Sequence, residues 1–192
     1  MLLSLLLPCD GFPGTIDLRA GGGMSQLLVI RHGIAGDADE FAATGRSDDE
    51  RPLTEKGSRE MKRVGAGLRA LVKKIDLLTT SPLVRARQTA VIVAGAFDMA
   101  IGEVTEVLRP TASLETFADW ASATSASGVL AIVGHDPHLS RLVTWLVSGV
   151  DAPRIALKKG GACLLEFDAT PAPSAGTLLW LLKPAQLIAA SQ

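Results

Sequence analysis

The stretch Gln26-Leu27-Leu28-Val29-Ile30-Arg31-His32-Gly33 joins a nearly continuous apolar run to an abrupt polar turn. A short run of this kind is typical of a strand buried on both faces of a parallel sheet. In such sheets, ligands bind beyond the carboxyl ends of the strands, near helix N-termini that favour anions. The stretch therefore predicts a buried first strand whose polar turn lies at the ligand-binding edge.

Strand and helix patterns alternate along the rest of the chain. Thr54 is a predicted N-cap before apolar residues spaced three and four apart, and Ser81-Pro82 is predicted to cap and open the next helix. Strands are predicted at residues 76–80, 101–107, 129–133, 162–167 and 178–182, and residues 36–50 are predicted to form a surface loop. This order predicts an α/β fold, a three-layer αβα sandwich with a mostly parallel central sheet of about six strands and helices on both faces.

Composition restricts the partners of the chain. The 192 residues carry 19 basic and 20 acidic side chains, a formal net charge of −1, and 47% hydrophobic residues. This balance gives no global field for nucleic acid or anionic lipid, so we expect no nucleic-acid partner and no membrane partner. Cys9 and Cys163 are spaced neither as a disulfide framework nor as zinc ligands, which favours a cytoplasmic location.

The first 23 residues differ from the rest. Their apolar run at residues 2–7 is much shorter than the roughly 20 residues of a membrane span, and no basic residue precedes it. Three glycines precede Met24, which a strand pattern follows directly. We expect residues 1–23 to be a leader that is disordered or absent from the native protein, and residues 24–192 to form one catalytic domain.

Four chemically versatile side chains follow separate predicted strands. Arg31 and His32 follow the first strand, Arg85 lies one turn into the helix after the second, and His135 follows the fourth. Arg85 and Arg87 are about 200° apart on a helix, so only one can face the crevice, and Arg85 is nearer the helix N-terminus. Each residue alone is unremarkable at a surface turn, but together they predict an anion pocket.

The ordered motifs resemble those of the histidine phosphatase (phosphoglycerate-mutase-like) superfamily, and most closely its small phosphohistidine phosphatase branch. The resemblance extends from about Leu27 to the C-terminus. It rests on Arg31-His32-Gly33, Arg51-Pro52-Leu53-Thr54 with Gly57, Ser81-Pro82 with Arg85-Ala86 and Gln88-Thr89, and Val133-Gly134-His135.

The resemblance implies a role for each pocket residue. His32 is the expected nucleophile that forms a covalent phosphohistidine, and Arg31, Arg85 and His135 are expected to be catalytic and to bind the phosphate. Guanidinium groups offer forked donors to phosphoryl oxygens, and their charge is expected to lower the pKa of His32. Neither a cofactor nor a metal is expected. His135 and His138 could suggest a metal pair, but no third ligand is evident.

A general acid is missing from the matching motifs. Mutase-like members of the superfamily resemble one another in carrying a glutamate that protonates the leaving alkoxide. Glu106 is the nearest candidate here, ahead of Asp37, Asp39 and Asp136, the last of which is a predicted N-cap. Since imidazole needs less acid help than an alkoxide to leave, this gap favours a phosphohistidine substrate.

Three functions follow from these observations. The first is a metal-independent phosphatase for phosphohistidine on a phosphorylated protein, such as a phosphorelay or phosphotransfer carrier. The second is a phosphomonoesterase of the same superfamily that acts on a small phosphorylated metabolite. The third is a phosphoprotein-binding module without catalysis, which the presence of both histidines and both pocket arginines disfavours.

Overall fold

A computed structural model describes residues 24–124 and 128–192, so the expected leader at residues 1–23 lies outside the described residues. Within the described residues, six strands form one sheet in the order β3-β2-β4-β1-β5-β6. The strands are β1 (Met24–Arg31), β2 (Leu77–Thr80), β3 (Glu103–Val104), β4 (Gly128–Gly134), β5 (Ala162–Phe167) and β6 (Gly176–Leu182). The first four strands of the chain pair in parallel, as β3-β2, β2-β4 and β4-β1. β5 then pairs antiparallel with β1, and β6 pairs antiparallel with β5.

Helices cover both faces of the sheet. They are α1 (Ala38–Ala42), α2 (Glu55–Leu71), α3 (Val84–Phe97), α4 (Leu114–Ala123), α5 (His138–Ser148) and α6 (Pro184–Ala189), with 3-10 helices at Asp48–Glu50 and Glu106–Leu108. Side chains of β1 point alternately to the two faces of the sheet. Leu27 and Val29 pack with α4 and α5 on one face, and Leu28 and Ile30 pack with α2, α3 and α6 on the other. The predicted α/β sandwich and its mostly parallel sheet are confirmed.

Helix α2 is fixed against the turn that follows β1. Its predicted N-cap is confirmed, because the Thr54 hydroxyl accepts the Gly57 N–H at 2.9 Å. A Cβ atom on Gly57 would lie 2.0 Å from the Ile34 carbonyl oxygen, so only glycine permits this approach. The Thr54-to-Gly57 motif thus positions the segment just beyond His32.

Several predicted boundaries were wrong. The strand predicted at residues 101–107 is only Glu103–Val104, because the chain then leaves the sheet edge in a 3-10 helix that buries Leu108 completely. The strand predicted at residues 178–182 begins two residues earlier, at Gly176. The loop at residues 36–50 contains α1 and a 3-10 helix. No helix in the described ranges is long and apolar enough to cross a membrane.

Candidate active site

The carboxyl ends of β1, β4 and β2 bring the predicted pocket residues together. In the sheet register, Arg31 lies opposite Gly134 and Thr80 lies opposite Val133. The His32 amide donates to the Gly134 carbonyl at 3.0 Å, which holds the turn after β1 against the end of β4. As a result, the His32 and His135 rings are 5.0 Å apart between centroids and are both buried.

The His32 ring is neutral and is held in one tautomer. Its Nδ1 lies 2.7 Å from the Gly33 carbonyl oxygen, which can only accept, so Nδ1 carries the proton and Nε2 keeps its lone pair. Burial lowers the pKa of His32 to about 4, with the charges of Arg85, Arg31 and Lys159 acting in the same direction and the Gly33 carbonyl opposing them. The arginines thus contribute as predicted, but burial is the larger cause.

His135 is held by a residue whose predicted role was different. Ser81 was predicted to cap a helix, but α3 begins only at Val84. The Ser81 hydroxyl instead lies 2.9 Å from Nε2 of His135, while it accepts the Leu83 N–H at 3.4 Å. The serine proton is therefore available to Nε2, which leaves Nδ1 of His135 as an N–H donor. Burial first, then the charges of His32 and Arg85, lower the pKa of His135 to about 2.

Arg31 is oriented by an aspartate that was predicted to be a helix cap. Its Nη1 donates to Oδ2 of Asp136 at 2.8 Å and to the Leu157 carbonyl at 2.6 Å. Asp136 also accepts the Ser140 hydroxyl at 2.8 Å and makes no cap, since α5 begins at His138 after Pro137. The sequence suggested a local bond for Asp136, whereas the fold uses its carboxylate to hold a pocket arginine.

Arg85 and Arg87 lie in different environments on α3, so the choice of Arg85 as the pocket arginine stays a prediction. Arg85 is buried, with 4% of its surface exposed, while Arg87 is exposed. The Arg85 Nη1 donates to the Asp48 carbonyl at 2.8 Å, and its Nη2 lies 2.9 Å from Oδ2 of Asp48. Thr89 on the same helix accepts the Gly33 N–H at 3.1 Å, which ties α3 to the turn that carries His32.

Two charged residues that act on the pocket histidines were not singled out from the sequence: Lys159, whose charge acts on His32, and Asp48, whose charge acts on His135. Asp48 bridges Arg85 and Arg51, whose Nε donates to Oδ1 of Asp48 at 2.7 Å. The hydrogen bond from Arg51, supported by the charge of Arg85, holds the pKa of Asp48 below its ordinary value although burial opposes this. The spacing of Asp48 three residues before Arg51 could have indicated an ion pair. Several other carboxylates in that loop have similar polar neighbours, so the sequence did not single out Asp48.

Of the candidate acids, Asp136 binds Arg31, whereas Glu106 and Asp37 make their contacts elsewhere. The Glu106 carboxylate is largely exposed and pairs with Arg109, which also binds Asp49 at 2.7 Å. Asp37 caps α1 through the backbone N–H groups of residues 39 and 40. Within the described residues, no hydrogen bond links Glu106 to His32, Arg85 or His135. A general-acid role for Glu106 therefore stays a prediction.

Potential metal ligands do not cluster in the described part of the chain. No group of three or more histidine, cysteine, aspartate or glutamate side chains there is arranged to hold a metal ion. His138, the first residue of α5, is fully buried, and neither of its ring nitrogens has a hydrogen-bond partner. Burial lowers the pKa of His138 to about 4, so this ring is neutral.

Comparison with protein families agrees with this geometry. The family model "Histidine phosphatase superfamily (branch 1)" matches residues 27–109, which include Arg31, His32 and Arg85. The chain belongs to the histidine phosphatase superfamily. It is a phosphatase with the α/β fold of that superfamily.

Relatives of this histidine phosphatase include characterised members. The phosphohistidine phosphatase SixA of Escherichia coli is 26% identical over 165 residues, which cover 84% of this chain and 96% of SixA. An uncharacterized protein of Picosynechococcus is 37% identical over 138 residues, which cover 71% of this chain and 81% of the relative. A structure of the protein histidine phosphatase SixA complexed with tungstate has a TM-score of 0.71 at 25% identity and covers 84% of this chain and 99% of its own.

Proposed function

We propose that this histidine phosphatase hydrolyses phosphohistidine on a protein, without a metal, through a covalent phosphohistidine on His32. Three nitrogens carry the proposal: Nε of Arg31, Nε of Arg85 and Nδ1 of His135 are buried and have no hydrogen-bond partner within the described residues. Because buried polar groups are nearly always paired, three unpaired donors around one neutral histidine fit the three oxygens of a phosphoryl group.

The proposed reaction has two steps. Nε2 of His32 attacks the phosphorus in line and the leaving group departs, while Arg31, Arg85 and His135 hold the phosphoryl oxygens. Water then attacks the phosphorus, and His32 leaves as a neutral imidazole because Nδ1 has kept its proton on the Gly33 carbonyl. Arg31 and Arg85 stabilise the charge on the phosphoryl oxygens in both steps.

The substrate class rests on two further observations. The phosphohistidine phosphatase SixA resembles this chain over nearly the whole of SixA. The segment after β3 supplies α4, whose Phe117 is fully buried in the core, so this helix is a structural layer and not a lid. A site that α4 does not cover suits a side chain presented by a phosphorelay or phosphotransfer protein in the cytoplasm.

The test compares wild type with His32→Ala on a phosphohistidine protein, an aryl phosphate and phosphoglycerates, each with and without a chelator. We expect the highest kcat/KM on the phosphohistidine protein, no effect of the chelator, and loss of turnover in His32→Ala. A preference for one of the small esters would instead support the small-molecule phosphomonoesterase. Phosphate binding without turnover of any substrate would support a binding module.

A further inference from the structure

The atom that must carry a proton in the leaving group differs between a phosphohistidine and a phosphate ester. In a phosphate ester, the proton must go to the bridging oxygen, which is the atom bonded to phosphorus. In a phosphohistidine, the ring leaves as neutral imidazole when the far ring nitrogen, not the one bonded to phosphorus, carries the proton. A group that stabilises this N–H therefore belongs one ring width away from the phosphoryl group.

Asp48 binds Arg85, one of the residues proposed to hold the phosphoryl group. It contacts Arg85 through its carbonyl at 2.8 Å and through Oδ2 at 2.9 Å, and its charge acts on His135. About half of its side chain, 54%, remains exposed. Each carboxylate oxygen accepts one bond, Oδ1 from Arg51 and Oδ2 from Arg85, so each still has a lone pair for a further donor.

We propose that the Asp48 carboxylate accepts the N–H of the far ring nitrogen of a bound phosphohistidine and thereby favours phosphoramidates over phosphate esters. This inference rests on the proposed function. Ionisation suits the role: Arg51 and Arg85 hold the pKa of Asp48 low, so the carboxylate cannot protonate an alkoxide but can accept from a protonated ring. The same feature that makes Asp48 a poor general acid makes it a good partner for imidazole.

The step balances without proton transfer to or from Asp48. The lone pair on Nε2 of His32 forms the new P–N bond, and the electron pair of the breaking P–N bond stays on the substrate ring. That ring departs as neutral imidazole with its N–H still bonded to Asp48. On the enzyme side, the Gly33 carbonyl holds the Nδ1–H of His32 in the same way, 2.7 Å from the ring nitrogen.

The test measures a ratio, because Asp48→Asn also loosens Arg85 and lowers activity on every substrate. The ratio is kcat/KM for N-phosphoimidazole divided by kcat/KM for 4-nitrophenyl phosphate. Loss of a charge-assisted bond to the leaving ring is expected to lower this ratio about 10- to 100-fold in Asp48→Asn. Asp49→Asn is the matched control, since the neighbouring Asp49 pairs with Arg109, and it should leave the ratio unchanged.

The outcomes separate this inference from the proposed function. If Asp48→Asn lowers the activities on N-phosphoimidazole and on 4-nitrophenyl phosphate by the same factor, Asp48 only positions Arg85. This result would overturn the inference about Asp48 and leave the proposed function standing. An equal fall of the ratio in Asp49→Asn would overturn it too, because the effect would then belong to the loop. If wild type does not cleave N-phosphoimidazole or a phosphohistidine protein, the proposed function fails, and the inference fails with it.

Discussion

The rings of His32 and His135 lie 5.0 Å apart at the ends of two neighbouring parallel strands, β1 and β4. Both rings are buried, and burial keeps both neutral at physiological pH. The hydrogen bonds give them different tautomers: His32 presents a lone pair at Nε2, and His135 presents an N–H at Nδ1. This pairing of an acceptor ring with a donor ring suits attack on a phosphoryl group that the second ring holds.

Arg85 and Arg87 form a matched pair for mutation. Arg85→Ala removes a buried guanidinium beside His32, and we expect kcat/KM on an aryl phosphate to fall about 100-fold or more. Arg87→Ala changes an exposed residue two positions further along α3 and should alter kcat/KM less than about threefold. Steady-state kinetics check both values; similar losses in the two variants would show that the choice of Arg85 is wrong.

Ser81→Ala removes the hydroxyl that lies 2.9 Å from Nε2 of His135. Without it, the proton of His135 is no longer held on Nδ1, so kcat is expected to fall about 10-fold. Ser113→Ala is the control, because Ser113 caps α4 and should affect thermal stability and not kcat. An unchanged kcat in Ser81→Ala would contradict the assigned tautomer of His135.

The protein is expected to lose stability steeply in mild acid. All three histidines of the chain are buried with pKa values well below 6.5, at about 4 for His32 and His138 and about 2 for His135. As pH falls through about 6.5, the unfolded state takes up protons that the native state does not, so the native state is disfavoured. Urea unfolding should show a free energy about 4 kcal/mol lower at about pH 5.5 than at about pH 7.

His138→Leu tests the same account at a residue outside the pocket. Since neither ring nitrogen of His138 has a partner, an apolar side chain of similar size should raise the free energy of unfolding at neutral pH by about 1 kcal/mol. The drop between about pH 7 and about pH 5.5 should shrink by about a third, because one titrating group is gone. An unchanged pH dependence would mean that His138 has the same pKa in the native and unfolded states.

Much of the site could be predicted from the sequence because it depends on strand ends. An apolar run that stops at a polar turn marks the carboxyl end of a strand, and parallel strands place those ends at one edge. This rule located His32 and His135, and helical geometry selected Arg85 over Arg87. The short edge strand β3 was harder, because residues 101–107 have a strand pattern but only Glu103–Val104 pair with β2.

The partners of these residues could not be predicted. Ser81 and Asp136 are suited by local sequence to cap helices, yet each bonds a residue from a distant part of the chain. Asp48 lies 37 positions from Arg85, and only the folded loop shows which of its carboxylates turns inward. Local propensity describes the backbone around such residues, whereas their side-chain contacts depend on tertiary packing.

The central claim is that His32 carries the phosphoryl group during turnover. Wild-type protein mixed with a phosphohistidine protein, quenched rapidly and digested under mildly basic conditions, should give one phosphorylated peptide from the phosphatase in mass spectrometry, besides the phosphorylated peptide of the substrate. On the phosphatase, the modification is expected to lie on His32, to be labile in acid, and to disappear when substrate is exhausted. Full turnover in His32→Ala, or a phosphoryl group trapped on another residue of the phosphatase, would contradict the claim.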